Sequence, residues 1–344
     1  MRVRIGDVDL LVSERRWLSV RRFSAYGAAL AMTPYLLIKI SWVVGALLGL
    51  LPRAEQLSVS GFVFLNVVTI GMAAAGITLA LALVRPWGER IPAVPLLACA
   101  WIGCGFLIPM IPYALLDSLL SADDGASGAD AAVLPGWEAS LIQLSFLGMG
   151  IGLAVALPLY LRGRWPAAFV GRVRPDAAAA CQGQPHRSWP AVTAVVSTVA
   201  LGAINLYWAA GGTLGLRHPS ARILEWHLQA GNFGIWSVVG AGSVWVLLHA
   251  RHAALPLWIP VSLGWLASGF LVAWSCWKLP FAFYLAVASP ADTVWPEELA
   301  VAAVHNVLGV VAGTTVLTVL LRTYRARLDS RHSSIVGADR GTVA

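Results

Sequence analysis

Eight apolar stretches, each 18 residues or longer, constrain this chain more than any motif does. The hydrocarbon core of a bilayer is about 30 Å thick and a helical residue rises about 1.5 Å, so roughly 20 apolar residues cross it. The stretches lack the alternation of polar and apolar residues that a membrane barrel needs. We therefore predict an all-α, multi-pass membrane protein with eight transmembrane helices. The predicted spans lie near residues 25–51, 61–84, 91–120, 139–161, 191–214, 233–250, 255–277 and 299–321.

Composition excludes the soluble classes of protein. Of the 344 residues, 58% are hydrophobic and 12% are charged, whereas about a quarter of the residues of a soluble domain are charged. The net charge of +7 does not indicate nucleic-acid binding, because no segment outside the spans is long enough to fold a domain with a basic face. The lipid bilayer is therefore the one partner that composition predicts.

Lysine and arginine are distributed unevenly between the two sides of the predicted spans. With the N-terminus inside, the cytoplasmic segments carry 19 basic residues and the outer segments carry four, Lys278 among them. Because basic residues are enriched in cytoplasmic loops, we predict that both termini are cytoplasmic. Residues 1–24 then form a basic N-terminal segment, and residues 323–344 form a disordered tail.

The chain is predicted to be an internal duplication. Residues 39–50 and 205–216 share five identities in twelve positions, including a tryptophan and two glycines, at a constant offset of 166. Weaker matches continue through the later spans at offsets of 164 and 160. Each half contains an even number of helices, so we expect two parallel four-helix repeats, 25–161 and 191–322, joined by a cytoplasmic linker at 162–190.

The stretch YWAAGGTLGL at 207–216 resembles an uncharacterised family of four-helix membrane domains from high-GC bacteria, and residues 42–50 are a looser copy. The preference for arginine over lysine, 22 to 2, suits such a genome. The resemblance implies a tandem pair of these domains in a bacterial plasma membrane. It implies no particular activity.

Lys39 is the most informative single residue, because it lies 12 residues before the end of its predicted span. That position is near the bilayer midplane, where a lysine costs at least about 2.5 to 3.5 kcal/mol on insertion scales. No carboxylate is expected at the same depth. Three interpretations stay open: an amine kept neutral by desolvation, a watery cavity that receives an anion or polar solute, or a structural bond to backbone carbonyls.

Asn205 occupies the position of Lys39 in the second half of the chain. Helical spacing puts Trp42 on the face of Lys39, and Trp208 on the face of Asn205, in each case with two glycines. We therefore expect Lys39 and Asn205 to face each other across the pseudo-axis, with both tryptophans beside them in a ligand-binding site. The alternative is that Asn205 only bonds a neighbouring helix.

His305 is the fifth candidate ligand-binding residue. It lies in the outer third of the last span, at a depth comparable to that of Gln143, and Asn66 and Thr69 are polar residues of the second span. We expect these side chains either to line a polar cavity open to the outside or to form hydrogen bonds between helices.

No metal site, cofactor or catalytic residue is predicted. The histidines and acids near 218–227, and the histidines at 249 and 252, lack the spacing of zinc sites. The four cysteines contain no C-x-x-C pair. Phosphate loops and the other common catalytic motifs are absent as well.

The leading hypothesis for function is transport or binding of a small polar or anionic solute at a midplane site formed by Lys39 and Asn205. One alternative is a membrane-embedded enzyme acting on a lipid or isoprenoid, with Lys39 or His305 as acid or base, although the sequence favours a non-enzyme. The other is a non-catalytic assembly or sensing partner. The sequence does not predict the substrate or the oligomeric state.

Overall fold

The protein is helical, and eight of its helices have the length and apolar character that a membrane span requires. The computed structural model describes residues 5–50, 59–120, 136–165, 189–249, 255–288 and 296–341. Within these ranges the regular structure is entirely helical and includes no strand. The predicted all-α, multi-pass membrane fold is therefore confirmed.

The chain divides into two compact units, Met1–Pro166 and Ala167–Ala344. Each unit contains four of the eight membrane-length helices in the described residues. The proposed origin of the two units by duplication stays a prediction.

The described residues of the first unit form five α-helices, the third and fourth of which together make one span. Helices α3 and α4 are separated at Ile108 and Pro109, where proline has no N–H to continue the helical bonding. Helix α1 packs most extensively against α2 and α5. The helices are α1 Ile5–Leu47, α2 Val59–Ala82, α3 Ala93–Leu107, α4 Met110–Leu120 and α5 Gly136–Arg164.

The second unit is an up-and-down bundle of four helices, in which each helix packs against its two neighbours. We call the end that carries residues 210–223 and 296–298 the loop end. At the other end, apolar side chains from all four helices or their flanks form a core that includes Ala194, Val244, Leu257 and Val316. The helices are α6 Trp189–Ala209, α7 Leu224–His249, α8 Trp258–Ala288 and α9 Leu299–Gly341.

Two terminal segments differ from the predictions. Helix α1 begins at Ile5, so the basic N-terminal segment continues into the first span as one helix. Helix α9 continues to Gly341, where a disordered tail from Thr323 was predicted. Neither extension contains a proline, and once a helix has formed, each added residue contributes a hydrogen bond without a new nucleation cost. The predicted linker at 162–190 lies largely outside the described residues.

Glycines allow α8 and α9 to approach closely. A Cβ on Gly313 would lie 2.6 Å from the backbone oxygen of Ser268, and a Cβ on Gly309 would collide with the Ser275 hydroxyl. Small residues of this kind let helices approach each other at the backbone. This contact holds the two helices that carry Lys278 and His305 together.

Candidate functional site

Polar side chains from all four helices of the second unit, and from one of its loops, converge on a small cavity at the loop end. The volume of this cavity is about 20 Å³, which is enough for about one water molecule. We call this cavity the polar pocket. Its polar lining residues are Asn205, Gln229, Lys278, Glu297 and His305, and its aromatic lining residues are Trp208, Trp226 and Phe233.

His305 and Asn205 are paired in the wall of the polar pocket. The Asn205 amide nitrogen lies 2.8 Å from Nε2 of His305 and also donates to the Leu201 carbonyl at 2.8 Å. An amide that donates in this way makes Nε2 the acceptor, so the neutral imidazole carries its proton on Nδ1. The imidazole is held between Trp208 and Phe233, whose ring centroids lie 5.5 and 5.3 Å from its own.

Lys278 supplies the positive charge of the polar pocket. Its ammonium donates to the side-chain oxygen of Gln229 at 3.1 Å and lies 6.0 Å from the centroid of the Phe233 ring. The sequence interpretation placed Lys278 in an outer segment, after a span that ended at residue 277. In the structure α8 continues to Ala288, so the lysine is inside a helix. The residues that follow Pro280 are also apolar, and this run is the sequence feature that indicates the longer helix.

Glu297 is the acidic side chain of the polar pocket. It lies just before α9, and burial raises the pKa of its carboxyl, while the positive charge of Lys278 and a hydrogen bond with Trp226 act in the opposite direction. The raised pKa means that burial outweighs both favourable contacts. No sequence motif marks Glu297, because its approach to Lys278 depends on how the two loops of this unit fold.

Two polar atoms near the pocket are buried without a hydrogen-bond partner among the described residues. They are Oγ of Ser275, one turn before Lys278 on α8, and Oδ1 of Asn306, which follows His305 on α9. Buried polar atoms normally find a partner in protein or in ordered water. The Ser275 hydroxyl lies against Gly309 in the contact between α8 and α9, and the residues that line the pocket do not include Ser275 or Asn306.

The loop that follows α6 is held in place by residues of the YWAAGGTLGL stretch. The Tyr207 hydroxyl accepts hydrogen bonds from the backbone N–H groups of Thr213 and Leu214, at 3.1 and 3.3 Å. The Trp208 indole donates to the Leu214 carbonyl at 2.9 Å. Gly212 lies under the Tyr207 ring, where a Cβ would collide with the ring. The motif thus forms a folded loop that fixes the indole of Trp208, a lining residue of the polar pocket.

The two loops of the second unit are joined at the same end. Leu216 and Glu297 form an isolated antiparallel bridge, and the Glu298 N–H donates to the Gly215 carbonyl at 3.2 Å. The Arg222 guanidinium donates to the carbonyl of Gly212 at 2.8 Å. These contacts position Glu297 over the pocket.

An apolar groove lies beside the polar pocket, between α6 and α9. The volume of this groove is about 330 Å³, and the surface that its side chains present to it is apolar. Trp208 and His305 line both the groove and the polar pocket. The other lining residues of the groove are Leu201, Ile204, Ala300, Val301, Val304 and Leu308.

Lys39 and Trp42 belong to the first unit and form a separate arrangement. The Lys39 ammonium lies 4.0 Å from the centroid of the Trp42 ring and 5.5 Å from that of Tyr35, and its side chain is half-buried. Aromatic ring faces attract cations by about 0.5 to 2 kcal/mol. The two rings therefore offset part of the free-energy cost of placing the Lys39 ammonium in an apolar span.

Lys39 is also nearer to its helix end than predicted. The helix ends at Leu47 and not at residue 51, because Gly49 takes φ +70° and Leu50 N–H bonds to the Gly45 carbonyl, a Schellman cap. Lys39 is therefore eight residues, about 12 Å, before the last helical residue. Helix α6 ends with the same type of cap, in which Gly211 takes φ +98°. Asn205 therefore lies four residues before the last residue of α6.

The other polar residues singled out from the sequence make local contacts in the first unit. Asn66 donates to the Phe62 carbonyl at 2.9 Å, and Thr69 donates to the Asn66 carbonyl at 2.9 Å. Gln143 is exposed. Of the five predicted ligand-binding residues, the structure thus brings Asn205, Trp208 and His305 into one pocket.

The comparisons with known proteins add no family to this geometry. No family model matches the chain, and neither a curated protein nor a solved structure is significantly similar to it. The resemblance of residues 207–216 to a bacterial membrane domain family stays a prediction.

Proposed function

We propose that the second unit binds a small anionic or polar group in the polar pocket, with the Lys278 ammonium as its principal partner. The convergence of Lys278, His305, Asn205 and Gln229 on one cavity carries this proposal. A charged or polar side chain inside a membrane helix is costly, and such residues mark substrate and ion pathways more often than inert positions.

A bound anion competes with Glu297 for Lys278. With Glu297 ionised, the pair carries no net charge and an incoming anion meets a resident one. With Glu297 protonated, the ammonium of Lys278 is the remaining charge of the pair and attracts an anion. Burial raises the pKa of Glu297, so protonation removes its competition with a bound anion at a higher pH than it would for an exposed glutamate.

Binding is favoured over passage through the second unit. Beneath the polar pocket, Phe233 and Phe270 pack with ring centroids 5.0 Å apart, and Phe270 is fully buried. Farther along the bundle, the apolar core around Val244 and Val316 fills the opposite end. A continuous polar route along the bundle axis would require these side chains to separate.

We further propose that the protein lies in a bacterial plasma membrane with both termini in the cytoplasm. The distribution of arginine supports this orientation. In that orientation the polar pocket faces the outside of the cell. The pocket is then accessible to solutes of the surrounding medium or periplasm.

The experiment uses the fact that the chain contains only two lysines, Lys39 and Lys278. The full-length protein is methylated in detergent with formaldehyde and a mild reductant, and each lysine is followed by peptide mass spectrometry. Acetate replaces chloride at constant ionic strength. We expect acetate to slow methylation of Lys278 by several-fold and to leave Lys39 unchanged, because a bound carboxylate covers the Lys278 amine.

Lys39 is the internal control for reagent concentration, detergent and overall folding. Equal rates at Lys278 with acetate and with chloride would contradict the proposal. Equal slowing of both lysines would also contradict it, since that result indicates a general salt effect.

Transport of the bound group is tested separately, by acetate flux into vesicles. Passage by way of Lys278 would give a flux that falls in Lys278→Met and persists in Lys39→Met, whereas binding alone gives no flux above that of protein-free vesicles. The reverse result would favour the earlier hypothesis of a midplane site at Lys39.

Enzymatic action on a lipid or isoprenoid is a second candidate function. The apolar groove that ends at His305 favours it, since a chain in the groove would bring its polar end next to a neutral imidazole. Incubation of the protein with membrane lipids, followed by mass spectrometry, tests for a product that His305→Phe does not form. The absence of any product in both proteins would remove this candidate.

A further inference from the structure

We infer that the second unit binds a single-chain amphiphile with a carboxylate head, whose head occupies the polar pocket and whose chain lies in the apolar groove between α6 and α9. This inference rests on the proposed function and names its ligand class. Its basis is the connection between a charged cavity and a lateral groove through two shared side chains, Trp208 and His305.

The polar pocket determines the head of the ligand. A cavity of about 20 Å³ accepts a carboxylate that displaces the equivalent of a water molecule, and it is too small for a glycerophosphate group. The Lys278 ammonium donates one N–H to the Gln229 side-chain oxygen at 3.1 Å, and its other N–H groups are donors suited to carboxylate oxygens. The size of the cavity therefore disfavours the head group of a phospholipid.

The groove determines the tail of the ligand. Its lining on α6 runs from Leu201 to Trp208 and its lining on α9 from Ala300 to Leu308, which is about 11 to 12 Å along each helix axis. With a volume of about 330 Å³ and no polar lining, it suits one medium-length hydrocarbon chain. Val304 is 68% exposed, so the groove is open along its side.

Trp208 and His305 form the junction between the two spaces. The Trp208 indole is held in place by its bond to the Leu214 carbonyl, and the His305 ring by its pairing with Asn205. Both rings stand between the groove and the polar pocket, so the carboxylate of the proposed ligand enters the pocket beside them.

The test compares acetate with decanoate as protecting agents for Lys278 in the methylation experiment. Each methylene removed from water is worth about four-fold in affinity, although detergent competes for the longer chain. We expect decanoate to protect Lys278 at a concentration at least about 100-fold lower than acetate. Lys39 again reports any general effect on reactivity.

Two matched variants test the placement of the chain. Val304→Trp fills the groove without touching the polar pocket, and Val307→Trp adds the same bulk on α9 at an exposed position outside the groove. We expect Val304→Trp to remove the advantage of decanoate while acetate still protects. Val307→Trp should keep that advantage.

Each outcome separates this inference from the proposed function. Protection by acetate without any advantage for decanoate overturns the inference and leaves the proposed function standing, whereas failure of both carboxylates overturns both. An advantage that survives in Val304→Trp also overturns the inference, because the chain then lies elsewhere. A photoactivatable decanoate that labels many helices equally, and not α6 and α9, identifies ordinary boundary lipid and has the same consequence.

Discussion

The two lysines show how the surroundings of a residue decide what it can do. Lys39 lies against the faces of Trp42 and Tyr35, so aromatic rings compensate its charge. Lys278 shares a cavity with Glu297 and bonds to Gln229, so hydrogen-bonding and ionisable groups compensate it. The second arrangement contains a carboxyl group, Glu297, whose charge changes when it gains or loses a proton.

The variant Glu297→Gln tests whether the Glu297 carboxylate competes with a bound anion for Lys278. The pKa of Glu297 is raised above its ordinary value of 4.5. Below the raised pKa the carboxyl is protonated and an external anion binds, and above it the ionised carboxylate excludes the anion. We therefore expect acetate protection of Lys278 to weaken as the pH rises through this pKa in the wild type. In Glu297→Gln we expect it to persist across the same pH range, because glutamine stays uncharged.

The exposed neighbour Glu298 supplies the control for this change. Glu298→Gln removes the same charge from the same loop, and its pH profile should match that of the wild type. Identical profiles for all three proteins would show that Glu297 does not compete with the bound anion.

At the level of the element, helix ends and helix contacts place the site. The cap at Gly211 ends α6 four residues after Asn205, so Asn205 lies in the last turn and beside the loop end. The close packing of α8 on α9 through Gly313 aligns the helices that carry Lys278 and His305. A glycine at such a contact is needed for space and not for backbone freedom.

Gly313→Ala tests this contact. The added Cβ would lie 2.6 Å from the Ser268 backbone oxygen, so one helix must shift, and we expect a loss of about 2 kcal/mol or more, seen as a lower Tm in detergent. Gly242→Ala on α7 has no atom within 4 Å of the new Cβ. Because alanine favours helix by about 1 kcal/mol over glycine, this control should keep or raise the Tm. Equal Tm values for the two variants would refute the role of the contact.

At the level of the whole molecule, the two units differ in chemistry. Under the predicted repeat alignment, Gln229, Lys278, Glu297 and His305 correspond to Val63, Ala114, Trp137 and Ser145. None of these counterparts in the first half is ionisable within the working pH range. If the duplication is real, the polar pocket therefore belongs to one copy alone.

Cysteine labelling tests the orientation of the molecule. In a variant whose four native cysteines are replaced by serine, a single cysteine is introduced at Thr213 or at Glu89, both of which are exposed. We expect an impermeant maleimide to label Thr213→Cys in intact cells and Glu89→Cys only after permeabilisation. The opposite pattern would place the polar pocket on the cytoplasmic side.

Part of the candidate site was predictable from the sequence, and part was not. Asn205, Trp208 and His305 were recognised because a polar or aromatic residue stands out in an apolar helix, and the structure brings all three together. Lys278 and Glu297 were missed, because the first was assigned to a loop after a span that ended too early and the second carries no periodic pattern. Lys39 was placed too far from its helix end because the glycine cap at Gly49 was not anticipated.

The helical, multi-pass character follows from the sequence alone, since an apolar stretch in lipid must satisfy its own backbone hydrogen bonds and an α-helix does so within one segment. The meeting of Lys278, Glu297 and His305 was decided only by tertiary structure. Their approach depends on where α8 ends, how closely α9 packs against it and how the loop before α9 folds. These are contacts between residues far apart in the chain, and local periodicity carries no information about them.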